Sequence, residues 1–384
     1  MELLKGLPWP THLDESRRDL YERARHIARD ELVDLVETGK EGHLNRELLA
    51  ALASHGLIPA LFPARYGGSQ PERVSAVDLC LLREAVATES PEAETALAMQ
   101  GLGSYPILEA GRPEDVERWI PEVAAGRVAP AFALTEPGAG SDAAALSTRA
   151  EPDGVGYRIT GKKAWISNAP EADVYTVFAR TSGDSGARGV TAFAVAGDSD
   201  GLFGEHLELL APHAIGTVEF DGVYTESVLG EVDHGFRVAM QTLSRFRPSV
   251  GAFAVGMAQA AFEATQGHVD HRHAFGGPLR KLQAVSHKLA GMAVALHTAR
   301  LAVYDAALAF DRGEDDLVFR SSAAKLHATE TSQRVIDDAV QLHGAVALRR
   351  GHLLEKLYRE VRAPRIYEGA SDVQLEVIAR ELSR

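Results

Sequence analysis

The stretch Phe132-Ala133-Leu134-Thr135-Glu136-Pro137-Gly138-Ala139-Gly140-Ser141-Asp142 sets two hydroxyls, on Thr135 and Ser141, among glycines that let a backbone come close to a ligand. That composition suits a polar cradle for a bound molecule, and it equally suits a tight surface loop. Other reactive side chains are discounted by their spacing. His271 and His273 alternate instead of standing four apart, and no carboxylate completes a zinc pattern, so no metal is expected. His287 and His297 fall on a long amphipathic stretch and read as packing or surface residues. The single cysteine, Cys80, lies in Val77-Asp78-Leu79-Cys80-Leu81-Leu82 and reads as a small buried hydrophobe. One cysteine excludes an internal disulfide framework and any multi-cysteine metal site. The sequence has no P-loop lysine motif, no Gly-x-Ser-x-Gly elbow and no nicotinamide-type fingerprint.

The elements that must position these residues fall into three blocks. At 384 residues and 45% hydrophobic content the chain is too long for one ordinary domain and has enough apolar residues for two or three cores. A net charge of −14 without a long run of one sign argues against a nucleic-acid surface. No apolar run reaches the ~18–20 residues of a bilayer span, and Met1 to Pro10 has no signal-peptide core, so no membrane partner is expected and the cytoplasm is the expected location. Residues 1–128 read as helical. Leu48, Leu49 and Leu52 form an apolar stripe ended by His55-Gly56, a further helix runs from about Val74 to Thr88, and another opens with Pro113 before acidic residues. Residues 129–234 read as a small β domain. Val174–Phe178 and Val190–Val195 are β-rich, and Tyr157-Arg158-Ile159 and Ala164-Trp165-Ile166 flank Thr160-Gly161-Lys162 in the manner of a hairpin. Residues 235–384 return to helical spacing: Leu282, Val285, Leu289, Met292, Leu296, Val303, Ala307 and Phe310 make one stripe, and Leu326, Val335, Ile336, Ala339 and Leu342 a second, as a bundle requires.

Five strings, in order, resemble those of the acyl-CoA dehydrogenase family, and the resemblance covers nearly the whole chain. The 132–142 stretch resembles its flavin loop. Pro63-Ala64-Arg65-Tyr66-Gly67-Gly68 resembles its N-terminal loop, and Gly161-Lys162-Lys163-Ala164-Trp165-Ile166-Ser167-Asn168 its second flavin strand. Arg272-His273-Ala274-Phe275-Gly276-Gly277-Pro278-Leu279 resembles its subunit-crossing FAD contact, and Ile366-Tyr367-Glu368-Gly369-Ala370-Ser371 its base motif. The implied fold is mainly α with a central β domain: a helical N-terminal domain, a β-barrel middle domain and a C-terminal four-helix bundle, with FAD between the β domain and the bundle. Phe132, Leu134, Thr135, Trp165 and Ser167 are then expected at the flavin ring. Ser141 belongs where the pyrophosphate or pantetheine passes. Arg272, Phe275, Gln341 and Gly344 are expected at the ADP half of a neighbouring subunit's FAD. Ser141, Arg247, Tyr367 and Gly369 are expected at the substrate.

The same resemblance implies oxidation of an acyl-CoA to a trans-2-enoyl-CoA, with Glu368 taking the α-proton, the β-hydride passing to flavin N5, and electrons leaving to an electron-transfer flavoprotein. A thioester α-proton is a weak acid, so such chemistry needs a positioned carboxylate and a polarised carbonyl. Some members carry the base on an earlier helix, where this chain has Phe246 before Arg247. A homo-oligomer built as a dimer of dimers is implied too. Departures touch the ADP contacts: Ala345 and Ala347 stand where the family has glycines, Ala370 replaces a threonine, and Asp372 stands near a usual glutamine. Same-fold alternatives are a flavin oxidase or monooxygenase and a dehydrogenase of carrier-protein thioesters. An inactive binding protein is the alternative from another class. Acyl-chain selectivity is expected around Thr95 to Ser104.

Overall fold

The structure is a computed structural model that describes residues 6–183 and 186–383. Helices open the chain: α1 (Glu15–Ile27), α2 (Val33–Thr38), α3 (Arg46–Ser54), α4 (Ala76–Glu89), α5 (Pro91–Ala110) and α6 (Pro113–Ala124). Strands follow: β1 (Pro130–Ala133), β2 (Arg149–Asp153), β3 (Gly156–Ser167), β4 (Val174–Arg180), β5 (Val190–Ala196), β6 (Leu202–His206), β7 (Ile215–Thr225) and β8 (Val228–Leu229). The helical remainder comprises α7 (Gly235–His271), α8 (Gln283–Arg312), α9 (Leu317–His343), α10 (Leu353–Glu360) and α11 (Ser371–Leu382), with a two-strand ribbon, β9 (His273–Ala274) and β10 (Gly277–Pro278), after α7. Side-chain caps define several starts. Asp14 accepts the Arg17 N–H at 3.0 Å, Asn45 that of Leu48 at 3.0 Å and Ser75 that of Asp78 at 2.9 Å.

Contacts divide the chain into two compact units, with cuts at the start of α2, just before α4, and inside α5 and α7. The first unit comprises Met1–Val33, Ser75–Glu94 and Arg245–Arg384. Here α9 packs on α8, α10 and α11, and α4 packs on α1 and α8. Close approach is bought by glycine: a Cβ on Gly251 of α7 would stand 2.8 Å from Val303 of α8 and 3.2 Å from Ala328 of α9, and one on Gly256 only 2.4 Å from the Glu84 carbonyl of α4. A buried polar network crosses the same helices. Glu84 accepts from Arg300 Nε at 2.8 Å and Tyr304 Oη at 2.9 Å, while Arg300 also donates to Gln259 at 2.8 Å. By length and composition α8 could pass for a membrane span. Its buried stripe of Leu289, Met292, Leu296 and Val303 identifies it as a core helix instead.

The second unit comprises Asp34–Val74 and Thr95–Ser244. Its sheet runs in the order β6-β7-β3-β2-β4-β5-β8, and β1 lies parallel to β4. Strands β4 and β5 are buried at all but their last positions, which explains their unbroken apolar runs. The expected hairpin at Thr160-Gly161-Lys162 is absent. One strand, β3, runs through it, and its register against β7 shifts between Ile159 and Gly161 and again between Lys163 and Ile166. A Cβ on Gly161 would stand 2.7 Å from Thr148 Cα, so this glycine marks a bulge with close backbone approach. The real hairpin joins β2 to β3 through Gly154-Val155. Cys80 is fully buried in α4, as its apolar setting suggests.

Candidate active site

The flavin-loop candidates gather at one end of β1 and β3. Phe132 is half-buried with its ring 5.0 Å from that of Phe178, Leu134 is buried, and Thr135 is half-buried with its carbonyl accepting the Ala164 N–H at 3.0 Å. Beyond them Glu136 and Ala139 exchange backbone hydrogen bonds at 3.1 Å, closing a tight turn that leaves Gly138 and Gly140 open and Ser141 exposed. The stretch is therefore a tight loop and an open cradle at once. Trp165 sits in the second bulge with φ 60° and remains 56% exposed, which a core tryptophan would not be. Ser167, two residues on, is half-buried.

Two residues without a part in the sequence reading brace this loop. Lys163 Nζ, fully buried, donates to the Leu134 carbonyl at 3.0 Å and to Glu136 Oε1 at 2.9 Å. Glu136 also accepts from Ser147 N at 2.6 Å, Ser147 Oγ at 2.7 Å and Thr148 N at 2.9 Å. Burial alone would raise the Glu136 pKa, but the Lys163 charge and these donors hold it down at about 2. Burial pulls Lys163 down to about 8 against the pull of Glu136.

The second group lies in the helical unit. Glu368 occupies the loop before α11 with φ 50°, a left-handed conformation that a non-glycine residue adopts only under constraint, and Gly369 follows at φ 93°. A Cβ on Gly369 would stand 2.0 Å from Gln374 Nε2. Lys325 Nζ pins the loop by donating to the Tyr367 carbonyl at 3.1 Å and the Gly369 carbonyl at 2.6 Å, and Gln374 Nε2 donates to the latter at 3.0 Å. Glu330 binds both Ser371 Oγ at 2.7 Å and Arg365 Nε at 2.8 Å. The Glu368 carboxylate itself is treated differently: Oε2 is shielded from solvent and has no hydrogen-bond partner among the described residues. Burial raises its pKa, while the charges of Arg83, Lys325 and Arg247 oppose that rise. Arg83 is held by Glu94 and by Ser249 Oγ at 2.7 Å. Arg247 is half-buried and its Nε has no partner among the described residues. Phe246, at the alternative base position, is buried and apolar.

The third group lies at the other end of the long helices. Phe275 and Gly276, at φ 53° and 84°, form the tip of the β9–β10 ribbon, and Phe275 is 91% exposed. Arg272 is exposed at its base. Gln341 and Gly344 are exposed as well, and His343 between them stacks on His268, one turn before Arg272, with ring centroids 4.1 Å apart. The four residues thus share one end of α7 and α9. From there to Arg247 is roughly 36 Å along α7, so this end and the Glu368 loop serve different points. In the segment expected to set acyl selectivity, Gln100 of α5 is buried with neither amide atom hydrogen-bonded among the described residues.

Residues 14–127, 131–223 and 233–383 match, in turn, the N-terminal, middle and C-terminal domains of acyl-CoA dehydrogenase. The chain belongs to the acyl-CoA dehydrogenase family. It is 35% identical over 378 residues to FadE25, a probable acyl-CoA dehydrogenase of Mycobacterium tuberculosis, covering 97% of this chain and 96% of that protein. Among solved structures, butyryl-CoA dehydrogenase from Megasphaera elsdenii superposes with a TM-score of 0.91 at 30% identity, covering 98% of this chain and all of that one. A structure of PigA with FAD and proline superposes at 0.90 with 27% identity, covering 98% and 99%.

Members of this family are FAD-dependent oxidoreductases. The residues present fit that cofactor. An exposed indole on a bulge, the flanking hydroxyls of Thr135 and Ser167, and open glycines at 138 and 140 make a surface for a flat ring and a phosphate-bearing tail. A half-buried carboxylate whose shielded Oε2 has no hydrogen-bond partner among the described residues fits a base awaiting a carbon acid. The family's glycine-rich run is altered here: Ala345 and Val346 are exposed and Ala347 is buried in a 3-10 turn, while Gly344 alone keeps a positive φ of 68°.

Proposed function

We propose that the protein oxidises the α–β bond of an acyl thioester with FAD, and that Glu368 is the base. The observation that carries this is the shielded Glu368 Oε2, held in a left-handed loop with a raised pKa and no donor among the described residues. A carboxylate built for structure would be hydrogen-bonded. Breaking the Cα–H bond sends its proton to Glu368, and the nearby positive charges keep enough of the carboxylate ionised to receive it. The Glu368 N–H, presented on the same loop, is the group we assign to the thioester carbonyl, so that charge growing on the carbonyl oxygen meets a donor. Ordering of the Tyr367–Gly369 carbonyls by Lys325 keeps base and donor in one geometry. When bound, FAD supplies the two-electron acceptor for the departing β-hydrogen.

On this reading Trp165, Thr135 and Ser167 orient the cofactor, Arg247, Tyr367 and Gly369 bound the substrate, and an electron-transfer flavoprotein takes the electrons. The exposed Phe275 supports assembly as a dimer of dimers, because an apolar ring at a ribbon tip gains by insertion into another copy. The test is anaerobic mixing of the yellow holoenzyme with acyl-CoAs of graded length and branching. Chains with a polar substituent belong in the screen because the buried Gln100 amide has no hydrogen-bond partner among the described residues. Bleaching of the flavin by at least one thioester is expected. Protein that neither carries nor takes up FAD, or flavin that no thioester reduces, would overturn the proposal.

A further inference from the structure

Outside the site described above, three side chains from separate parts of the second unit converge. His43 comes from the loop between α2 and α3, Glu171 from the turn between β3 and β4, and His206 from the last position of β6. His43 Nδ1 lies 3.3 Å from Glu171 Oε1, and His206 Nε2 lies 4.0 Å from Glu171 Oε2. The two imidazole rings are 4.1 Å apart at 48°, and one potential ligand atom from each residue falls within 4.8 Å of the others.

Nitrogen and oxygen ligands at zinc bond lengths of about 2.0–2.2 Å in a tetrahedron stand roughly 3.3 Å from each other. The His43–Glu171 pair already has that spacing. His206 closes the remaining gap by a side-chain turn, and it is free to do so because it is exposed. The carboxylate is fixed from behind. Glu171 Oε2 accepts the Leu44 N–H at 2.8 Å, and Arg46 donates to the Glu171 carbonyl at 3.3 Å while paired with Asp173 at 2.9 Å. Such outer contacts orient the ligands of metal centres. Imidazole ring nitrogens and a carboxylate oxygen are common metal-ligating atoms.

We propose that His43, Glu171 and His206 form a binding site for a divalent transition-metal ion of the zinc class, with a fourth position open to water. Two imidazoles and one carboxylate are a zinc donor set, and an ion there ties the α2–α3 loop to the β3–β4 turn and the end of β6. The site is independent of the flavin reading. Its three ligands are 128 residues apart between His43 and Glu171 alone, so no local spacing in the sequence announces it.

Isothermal titration of zinc chloride into the purified protein, after dialysis against a chelator, tests this. One ion per chain with micromolar or tighter affinity is expected, together with a thermal midpoint raised by saturating zinc. In His206→Ala and in Glu171→Gln the affinity should fall at least ~10-fold and the thermal rise should vanish, while both metal-free variants keep the parent's circular dichroism. Glu171→Gln retains an oxygen for the Leu44 N–H, which keeps the loop in place. Absence of stoichiometric binding overturns the proposal. So does binding that persists undiminished in either variant, which would place the ion elsewhere, for example at His268, His343 and His352.

Discussion

Glu136 and Glu368 are both shielded carboxylates with a lysine nearby, yet their pKa values move in opposite directions. Glu136 receives two backbone N–H groups, a hydroxyl and an ammonium, and sits at about 2. Glu368 has three cations in its surroundings but an Oε2 with no donor among the described residues, and its pKa rises. Burial is the largest influence on both carboxylates and raises both; at Glu136 the Lys163 charge and its direct donors together outweigh it, whereas at Glu368 the charges of Arg83, Lys325 and Arg247 oppose it without reversing it. A carboxylate whose lone pairs are filled is a brace. One whose lone pairs are left open at some cost in stability is available for a proton.

The sharpest way to break this contrast is Glu368→Gln. The amide keeps size and packing but cannot accept the α-proton, so flavin reduction by substrate should slow ~10²–10⁴-fold in anaerobic stopped flow. FAD content and oligomeric state should match the parent. Reduction at the parent's rate would move the base elsewhere. Glu136→Gln should do the reverse. Removing one partner of a buried ion pair costs roughly 3–5 kcal/mol, read by denaturant unfolding, and flavin retention should drop because the Leu134–Thr135 backbone loses its anchor. Those molecules that keep FAD should be reduced at close to the parent's rate.

How much of this was legible in the sequence differs between the two glutamates. Glu368 carries no local signature beyond its place in Ile366-Tyr367-Glu368-Gly369-Ala370-Ser371; only the family resemblance singled it out, and the orphaned oxygen and left-handed backbone give that choice a physical basis. Glu136 lay inside the recognised loop and Lys163 inside the recognised strand, but the pairing joins residues 27 apart across a sheet whose register the bulges disguise. The same bulges turned one strand into an apparent hairpin, because a glycine between two apolar runs signals a turn and a bulge alike. The long helical stripes were plain, since Leu289, Met292, Leu296 and Val303 repeat on one face of α8. His43, Glu171 and His206 meet only through the fold.

The pH dependence should separate the two carboxylates more gently. An ordinary glutamate titrates near 4.5. Glu368 must be ionised to work, so the acid limb of the reductive rate should lie above that value and should be missing from the residual activity of Glu368→Gln. For stability the signs oppose. Glu136, depressed in the fold, stabilises above pH 4.5 and loses that contribution as pH falls toward 2. Glu368, raised in the fold, is most favourable when protonated, and stability declines as pH rises from 4.5 through its folded value. Unfolding curves for Glu368→Gln should therefore fall less steeply with rising pH than the parent's.

The smallest effect should come from Gly369→Ala, which leaves the carboxylate and its cations in place and tests whether the loop is what aims them. Two costs are expected. An alanine at φ 93° strains the backbone by about 1–3 kcal/mol, and its Cβ collides with Gln374 Nε2, 2.0 Å away. A glutamine end can move, but moving it removes its 3.0 Å bond to the Gly369 carbonyl and leaves Lys325 alone to hold that oxygen. The expected result is an intact, FAD-loaded protein whose flavin is reduced about tenfold more slowly, because a misaimed base loses orientation and keeps its chemistry. Adding Gln374→Ala distinguishes the causes. If the collision dominates, the double variant recovers rate relative to Gly369→Ala. If backbone strain dominates, the rate stays low and Gln374→Ala alone is nearly neutral. A Gly369→Ala protein as fast as the parent would show that the left-handed turn does not position Glu368, and the base would then be set by its cations alone.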